Sequence, residues 1–101
     1  MKLVVIMSVE QYAEVLERLY AEHRIPVFSE TEVQGYRLDE NVRTPLNWFG
    51  RAHTPIYSKL TFAFVDADKA AELIDAIDAY NREHDLESPI RAFQMPVERS
   101  V

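Results

Sequence analysis

The sequence has 101 residues, of which 48% are hydrophobic and 28% are charged, so it can build one core and still solvate its surface. The formal net charge of −6 disfavours nucleic acid and anionic membrane surfaces as partners, because both would require a basic face. The absence of cysteine excludes disulfides, thiol catalysis and cysteine-based metal sites.

The apolar run at residues 3–7 is too short for a signal-peptide core or a membrane span. We therefore expect a cytoplasmic protein with no direct membrane insertion. The unbroken apolar character of the run predicts a strand that is buried on both faces.

A capping-box spacing predicts that the first helix begins at Ser8, because Gln11 follows three residues later. Ile25-Pro26 ends this helix, since the residue before a proline is disfavoured in the helical conformation. Between these signals apolar residues recur at helical spacing, namely Val9, Tyr12, Ala13, Leu16, Leu19 and Tyr20.

Residues 27–36 have no helical period and are rich in β-branched and aromatic side chains, which predicts a strand. Residues 38–55 differ in composition, with Pro45, Pro55, Gly50 and mixed charge. They predict a long loop, and loops of that length in compact domains are usually functional or mobile.

The second half of the chain repeats the alternation of strand and helix. Residues 58–65 alternate in the manner of a strand, with Leu60, Phe62 and Phe64 on one face and Lys59, Thr61 and Ala63 on the other. Asp66 is a good N-cap for a second helix. The apolar stripe of that helix comprises Ala70, Leu73, Ile74, Ile77 and Tyr80. Pro89 marks a turn before a last strand at residues 90–95.

This order of elements predicts an α+β, ferredoxin-like βαββαβ fold over residues 1–101 as a single domain. Its antiparallel four-stranded sheet would carry two helices on one face and leave the other face open. Because the first strand is apolar on both faces, the open face would expose an apolar patch. Oligomerisation through that face is our hypothesis.

Signatures of catalysis are missing from the sequence. With only Gly35 and Gly50, neither a phosphate-binding P-loop nor a dinucleotide fingerprint can form. His23, His53 and His84 are too widely spaced to form a helical or turn pair of metal ligands. We predict no enzyme, no catalytic residue and no metal site.

Two groups of side chains leave alternatives open. Glu30 and Glu32 share one face of the second strand, and paired acids can perform acid–base chemistry, so a small ferredoxin-like enzyme is one alternative. In the long loop, aromatic and basic residues either fold back onto the domain or contact a partner protein. These candidate partner-binding residues are Trp48, Phe49, Arg51 and His53.

Residues 25–36, Ile-Pro-Val-Phe-Ser-Glu-Thr-Glu-Val-Gln-Gly-Tyr, resemble the second strand of the PII (nitrogen regulatory protein) family. The order of elements, the long loop and the chain length agree with that family. The resemblance implies a homotrimer with inward-facing sheets and a mobile T-loop at residues 38–55. It also implies an effector cleft between subunits that takes an adenine nucleotide, and a regulated target such as a transporter or metabolic enzyme.

The resemblance also implies which residues bind the effector. Met7, Ser29, Gly35 and Tyr36 would line the adenosine side of the cleft. Arginine and serine residues would bind the phosphate part of the effector. They stand at or near the family's phosphate loop and arginine positions, and they are Arg37, Ser88, Arg91 and Arg99.

One departure from the family pattern concerns the phosphates. In place of a glycine-rich loop with a lysine, this chain has Leu86-Glu87-Ser88-Pro89-Ile90. Pro89 removes a backbone donor and Glu87 adds a negative charge, so we expect AMP or ADP, or a small anion, to bind better than ATP. The alternative is a CutA-type trimeric binding protein that is metal-ion-related or transporter-associated.

Overall fold

The computed structural model describes residues 1–36, 56–86 and 88–101, except for the side chains of residues 56 and 57. Its elements are β1 (Lys2–Val9), a short 3₁₀ helix (Glu10–Tyr12), α1 (Ala13–Glu22), β2 (Ser29–Gly35), β3 (Ile56–Val65), α2 (Ala67–His84) and β4 (Arg91–Pro96). The strands form a four-stranded sheet in the order β2-β3-β1-β4, with antiparallel neighbours throughout. The predicted α+β, ferredoxin-like fold is confirmed. The predicted loop at residues 38–55 lies outside the described residues.

The register of the two central strands decides which face the helices cover. Val4 and Ile6 of β1 lie opposite Ala63 and Thr61 of β3, and all four side chains are buried. The helices pack on this face through their apolar stripes, as the sequence predicts. The core comprises Val4, Ile6, Leu16, Tyr20, Ile25, Ala63, Val65, Ala70, Leu73, Ile77 and Ile90.

The predicted start of the first helix is wrong. Ser8 does not cap a helix, because it belongs to β1 and pairs with Lys59 of β3. The chain turns only after Val9, through the 3₁₀ helix, and α1 begins at Ala13. The ladder hydrogen bonds of a central strand outweigh a local capping signal, which is worth about 1 kcal/mol.

The core contains one buried tyrosine with a polar partner. The hydroxyl groups of Tyr20 and Thr61 lie 2.6 Å apart, and the Tyr20 ring stacks on Phe28 at a centroid distance of 4.3 Å. Burial raises the pKa of the Tyr20 hydroxyl, which the hydrogen bond to Thr61 partly offsets and the nearby Glu30 reinforces. Tyr20 therefore ties α1 both to β3 and to the segment before β2.

The open face of the sheet is apolar, as the sequence predicts. Phe64 of β3 is 56% exposed, and Phe93 and Met95 of β4 are each 41% exposed. The half-buried Leu3 and Val5 of β1 lie between them, because the register pairs Leu3 with Phe64 and with Met95. We call Leu3, Val5, Phe64, Phe93 and Met95 the open-face patch. In the described ranges, neither helix is long and apolar enough to cross a membrane.

Candidate functional site

Most of the predicted effector residues that the structure describes lie toward one end of the sheet, divided between its two edge strands. This end, which we call the loop end, contains the C-terminal ends of β1 and β2 and the N-terminal ends of β3 and β4. Met7 of β1 lies directly opposite Arg91 of β4, and Ser88 stands just before that strand. Gly35 ends β2 beside Ile56, and Tyr36 follows it.

Ser29 and Arg99 lie away from the loop end and on opposite edge strands of the sheet. Ser29 begins β2 and pairs with Phe62 in the middle of the sheet, and Arg99 follows β4, whose last residue, Pro96, pairs with Lys2. Six residue steps along a strand separate Ser29 from Gly35, which is about 20 Å. A single subunit therefore does not bring Ser29 and Gly35 together.

Arg91 is held in a defined position at the loop end. Its neighbour Ile90 is buried, and the side-chain amide of Asn81 bonds to both the N–H and the carbonyl of Ile90. The Nε atom of Arg91 is itself buried and has no hydrogen-bond partner in the described part of the chain. A buried donor without a partner is energetically costly.

Two buried hydroxyl groups also lie at the loop end. Ser8 of β1 and Ser58 of β3 are fully or almost fully buried, and neither Oγ atom bonds to a described residue. Ser8 lies on the helix-covered face and Ser58, opposite Val9, on the open face. Sequence reasoning gave no role to Ser58 or Asn81, because short polar side chains carry no signal until their neighbours are known.

Tyr36 follows the end of β2 and is 49% exposed. Its hydroxyl donates a hydrogen bond to Gln34 Oε1 at 2.8 Å. The ring therefore stands at the surface of the loop end, where it can stack on a planar ligand.

The acidic pair of β2 lies on the same side of the sheet as the helices, but at its edge. Glu32 Oε1 accepts a hydrogen bond from Lys59 Nζ at 3.0 Å, and this bond is the main cause of the raised pKa of Lys59. Both Glu30 and Glu32 are exposed. Catalytic bases are usually tuned by burial, so this geometry lends no support to the enzyme alternative.

Several predicted residues lie outside the described part of the chain: Arg37, Trp48, Phe49, Arg51 and His53. Their roles stay predictions. Within the described ranges, no three histidine, aspartate or glutamate side chains are grouped closely enough to hold a metal ion. No known protein family and no curated protein matches the sequence.

Proposed function

We propose that the chain is a divergent PII-like regulatory protein. It would sense a small effector, an adenine nucleotide or a small anion, in a cleft between the subunits of a homotrimer. It would then control a partner protein such as a transporter or metabolic enzyme. The main support is the separation of Ser29 from Gly35 along β2, two residues that the proposal assigns to one adenosine site.

That separation favours a cleft made by two copies. Ser29 lies at the other end of β2 from Gly35, about 20 Å away, which is too far for both to touch one adenosine within a single subunit. If the loop end of one copy meets the start of β2 in its neighbour, Gly35 and Tyr36 can share a ligand with Ser29.

The open-face patch supports the trimer. Phe64, Phe93 and Met95 expose large apolar side chains on one continuous surface. Covering such a surface is favourable by about 25 cal/mol for each Å² removed from water. A small domain also buries a smaller fraction of its surface than a large one, so a partner copy adds stability.

The residues on the proposed phosphate side of the cleft favour a ligand with only one or two phosphate groups. Arg91 offers one cation, whose buried Nε has no partner among the described residues, and Ser88 stands nearby. One arginine can bind one phosphate through paired hydrogen bonds. The proline at residue 89 supplies no backbone donor for further phosphates, which favours AMP or ADP over ATP.

Calorimetric titration with AMP, ADP and ATP, each with and without magnesium, tests the proposal. We expect AMP or ADP to bind more tightly than ATP, and Arg91→Gln to weaken binding by about tenfold or more, the usual effect of losing a charged hydrogen bond. Arg18→Gln, which removes an exposed arginine from α1, is the matched control and should change nothing. Tighter binding of ATP than of AMP would contradict the proposed phosphate side, and no binding of any nucleotide would contradict an adenine nucleotide as the effector.

A further inference from the structure

Arg91 is the only charged side chain that the described strand residues place on the open face of the sheet. The register puts it in one row with Met7 of β1 and Leu60 of β3, which are apolar. The other charged residues of the described strands lie on the helix-covered face: Lys2, Glu30, Glu32 and Lys59. Among the ion pairs of the described residues, none includes Arg91. Its guanidinium therefore has no carboxylate partner from the strands of its own face.

Two polar atoms of the open face are buried near the loop end without a partner. They are Nε of Arg91 and Oγ of Ser58, a residue that is 2% exposed, and neither makes a hydrogen bond within the described part of the chain. Buried polar atoms in folded proteins nearly always have a hydrogen-bond partner. A guanidinium and a hydroxyl can both donate to one oxyanion, so a single ligand would satisfy both.

The positions of Arg91 and Ser58 suit one small anion between them. Strand β1 separates the two residues, and Ser58 lies two residues from Leu60, which shares the row of Arg91. The spacing of strands and residues puts their Cα atoms about 12 Å apart. The long arginine side chain and one tetrahedral oxyanion, with hydrogen bonds of about 2.8 Å on each side, can span that gap. The half-buried Met7 and Leu60 form the apolar floor between them, where exclusion of water strengthens charged hydrogen bonds.

Assembly would increase the need for an anion at this place. In the proposed trimer the open face is covered, and the strands of a second copy bring the same face, which has no carboxylate. A guanidinium that is buried without a counter-charge is strongly destabilising, so an anion from solution would offset that cost.

We propose that Arg91 and Ser58 together bind one phosphate group on the open face, as free phosphate or as the phosphate of a nucleotide. Arg91 supplies the charge and Ser58 a second, neutral donor. The proposal rests on the proposed function for the trimer and for the nucleotide source, and it adds Ser58 to the residues that would bind the effector. The chain's net charge of −6 opposes general binding of anions, so binding of phosphate would require a specific site.

Phosphorus NMR titration with inorganic phosphate, and separately with AMP, tests this proposal at one ionic strength set with sodium chloride. Ser58→Ala is expected to weaken the binding of both ligands by about threefold to tenfold, the effect of losing one neutral hydrogen bond. Arg91→Gln should weaken both by about tenfold or more, because it removes a charged donor. In phosphate-free buffer, Ser58→Ala should unfold at the wild-type midpoint or above it, since the hydroxyl it removes has no described partner.

Ser100→Ala and Arg18→Gln are the matched controls, because they remove an exposed hydroxyl and an exposed guanidinium away from the open face, and both should bind like the wild type. No binding of phosphate or AMP to the wild type, or equal binding to wild type and Ser58→Ala, would overturn the proposal. AMP binding that is unaffected by Ser58→Ala would overturn it while leaving the proposed function intact. Phosphate binding that depends on both residues, without any tighter binding of AMP, would support this site and contradict the nucleotide effector.

Discussion

The side chain of Asn81 is bonded to both backbone polar groups of Ile90. Nδ2 donates to the Ile90 carbonyl at 2.8 Å, and Oδ1 accepts from the Ile90 N–H at 2.9 Å. The side-chain amide of Asn81 thereby makes the two hydrogen bonds that a neighbouring strand would otherwise make with Ile90, the residue before β4. This bond pair joins the last turns of α2 to the sheet and positions Arg91 at the loop end.

Replacing Asn81 should loosen that junction. Asn81→Ala is expected to lower the free energy of unfolding by about 1–3 kcal/mol, because it leaves two backbone groups beside a buried residue without partners. Asn81→Asp should cost less, since its carboxylate still accepts from the Ile90 N–H. Urea unfolding at one fixed protein concentration measures both, and wild-type stability of Asn81→Ala would refute the structural role.

The hydrogen bond between Tyr20 and Thr61 should be detectable as a coupling energy. Tyr20→Phe and Thr61→Val each remove one hydroxyl from the 2.6 Å contact. In a double-mutant cycle we expect an interaction free energy of about 0.5–1.5 kcal/mol. Strictly additive losses would show that the two hydroxyl groups do not stabilise each other.

Stability should fall at alkaline pH because of Tyr20. Its pKa in the folded protein is raised, chiefly by burial, above the ordinary value of 10.0, so the folded state holds the proton more tightly than the unfolded state. The stabilisation is complete below pH 10 and is lost as the pH rises towards the folded pKa. The slope for one proton is about 1.4 kcal/mol per pH unit. Urea unfolding across this range should show a shallower loss for Tyr20→Phe than for Tyr12→Phe, the matched control at a half-buried ring.

The residue that ends α2 should tolerate glycine well. Asp85 adopts a left-handed conformation, with φ 45° and ψ 56°, and its N–H bonds to the Asn81 carbonyl at 3.1 Å. Asp85→Gly is expected to raise the free energy of unfolding by up to about 1 kcal/mol, because glycine has no Cβ to crowd that conformation. Glu83→Gly, inside the same helix, should instead lower it by about 1 kcal/mol. Thermal unfolding distinguishes the two, and equal effects would contradict the backbone argument.

A charge on the open face should prevent assembly. Phe64→Asp places a carboxylate in the open-face patch, where association would have to bury it, so the proposed trimer should be replaced by a monomer. Ala79→Asp adds the same charge at an exposed position of α2 and should leave the trimer intact. Light scattering at micromolar concentration measures both. A monomeric wild-type protein, or an unchanged mass for Phe64→Asp, would show that this face is not the interface.

Local patterns in the sequence are sufficient to predict the order of elements and the fold class. The alternation of Leu60, Phe62 and Phe64 and the helical spacing of Leu73 and Ile77 are periods set by local backbone geometry, so they can be read without knowing any neighbour. The exposed apolar face followed from the doubly apolar first strand for the same reason.

Sheet pairing and helix docking determine where a local helix-capping signal is overridden. They also determine which residues distant in sequence come into contact. Ser8 reads as a helix cap, but its strand pairing with Lys59 prevails. The pairs Met7–Arg91 and Asn81–Ile90 depend on sheet register and helix docking. A shift of one residue in register would move every side chain of a strand to the other face, and the doubly apolar β1 has no alternation that fixes this choice.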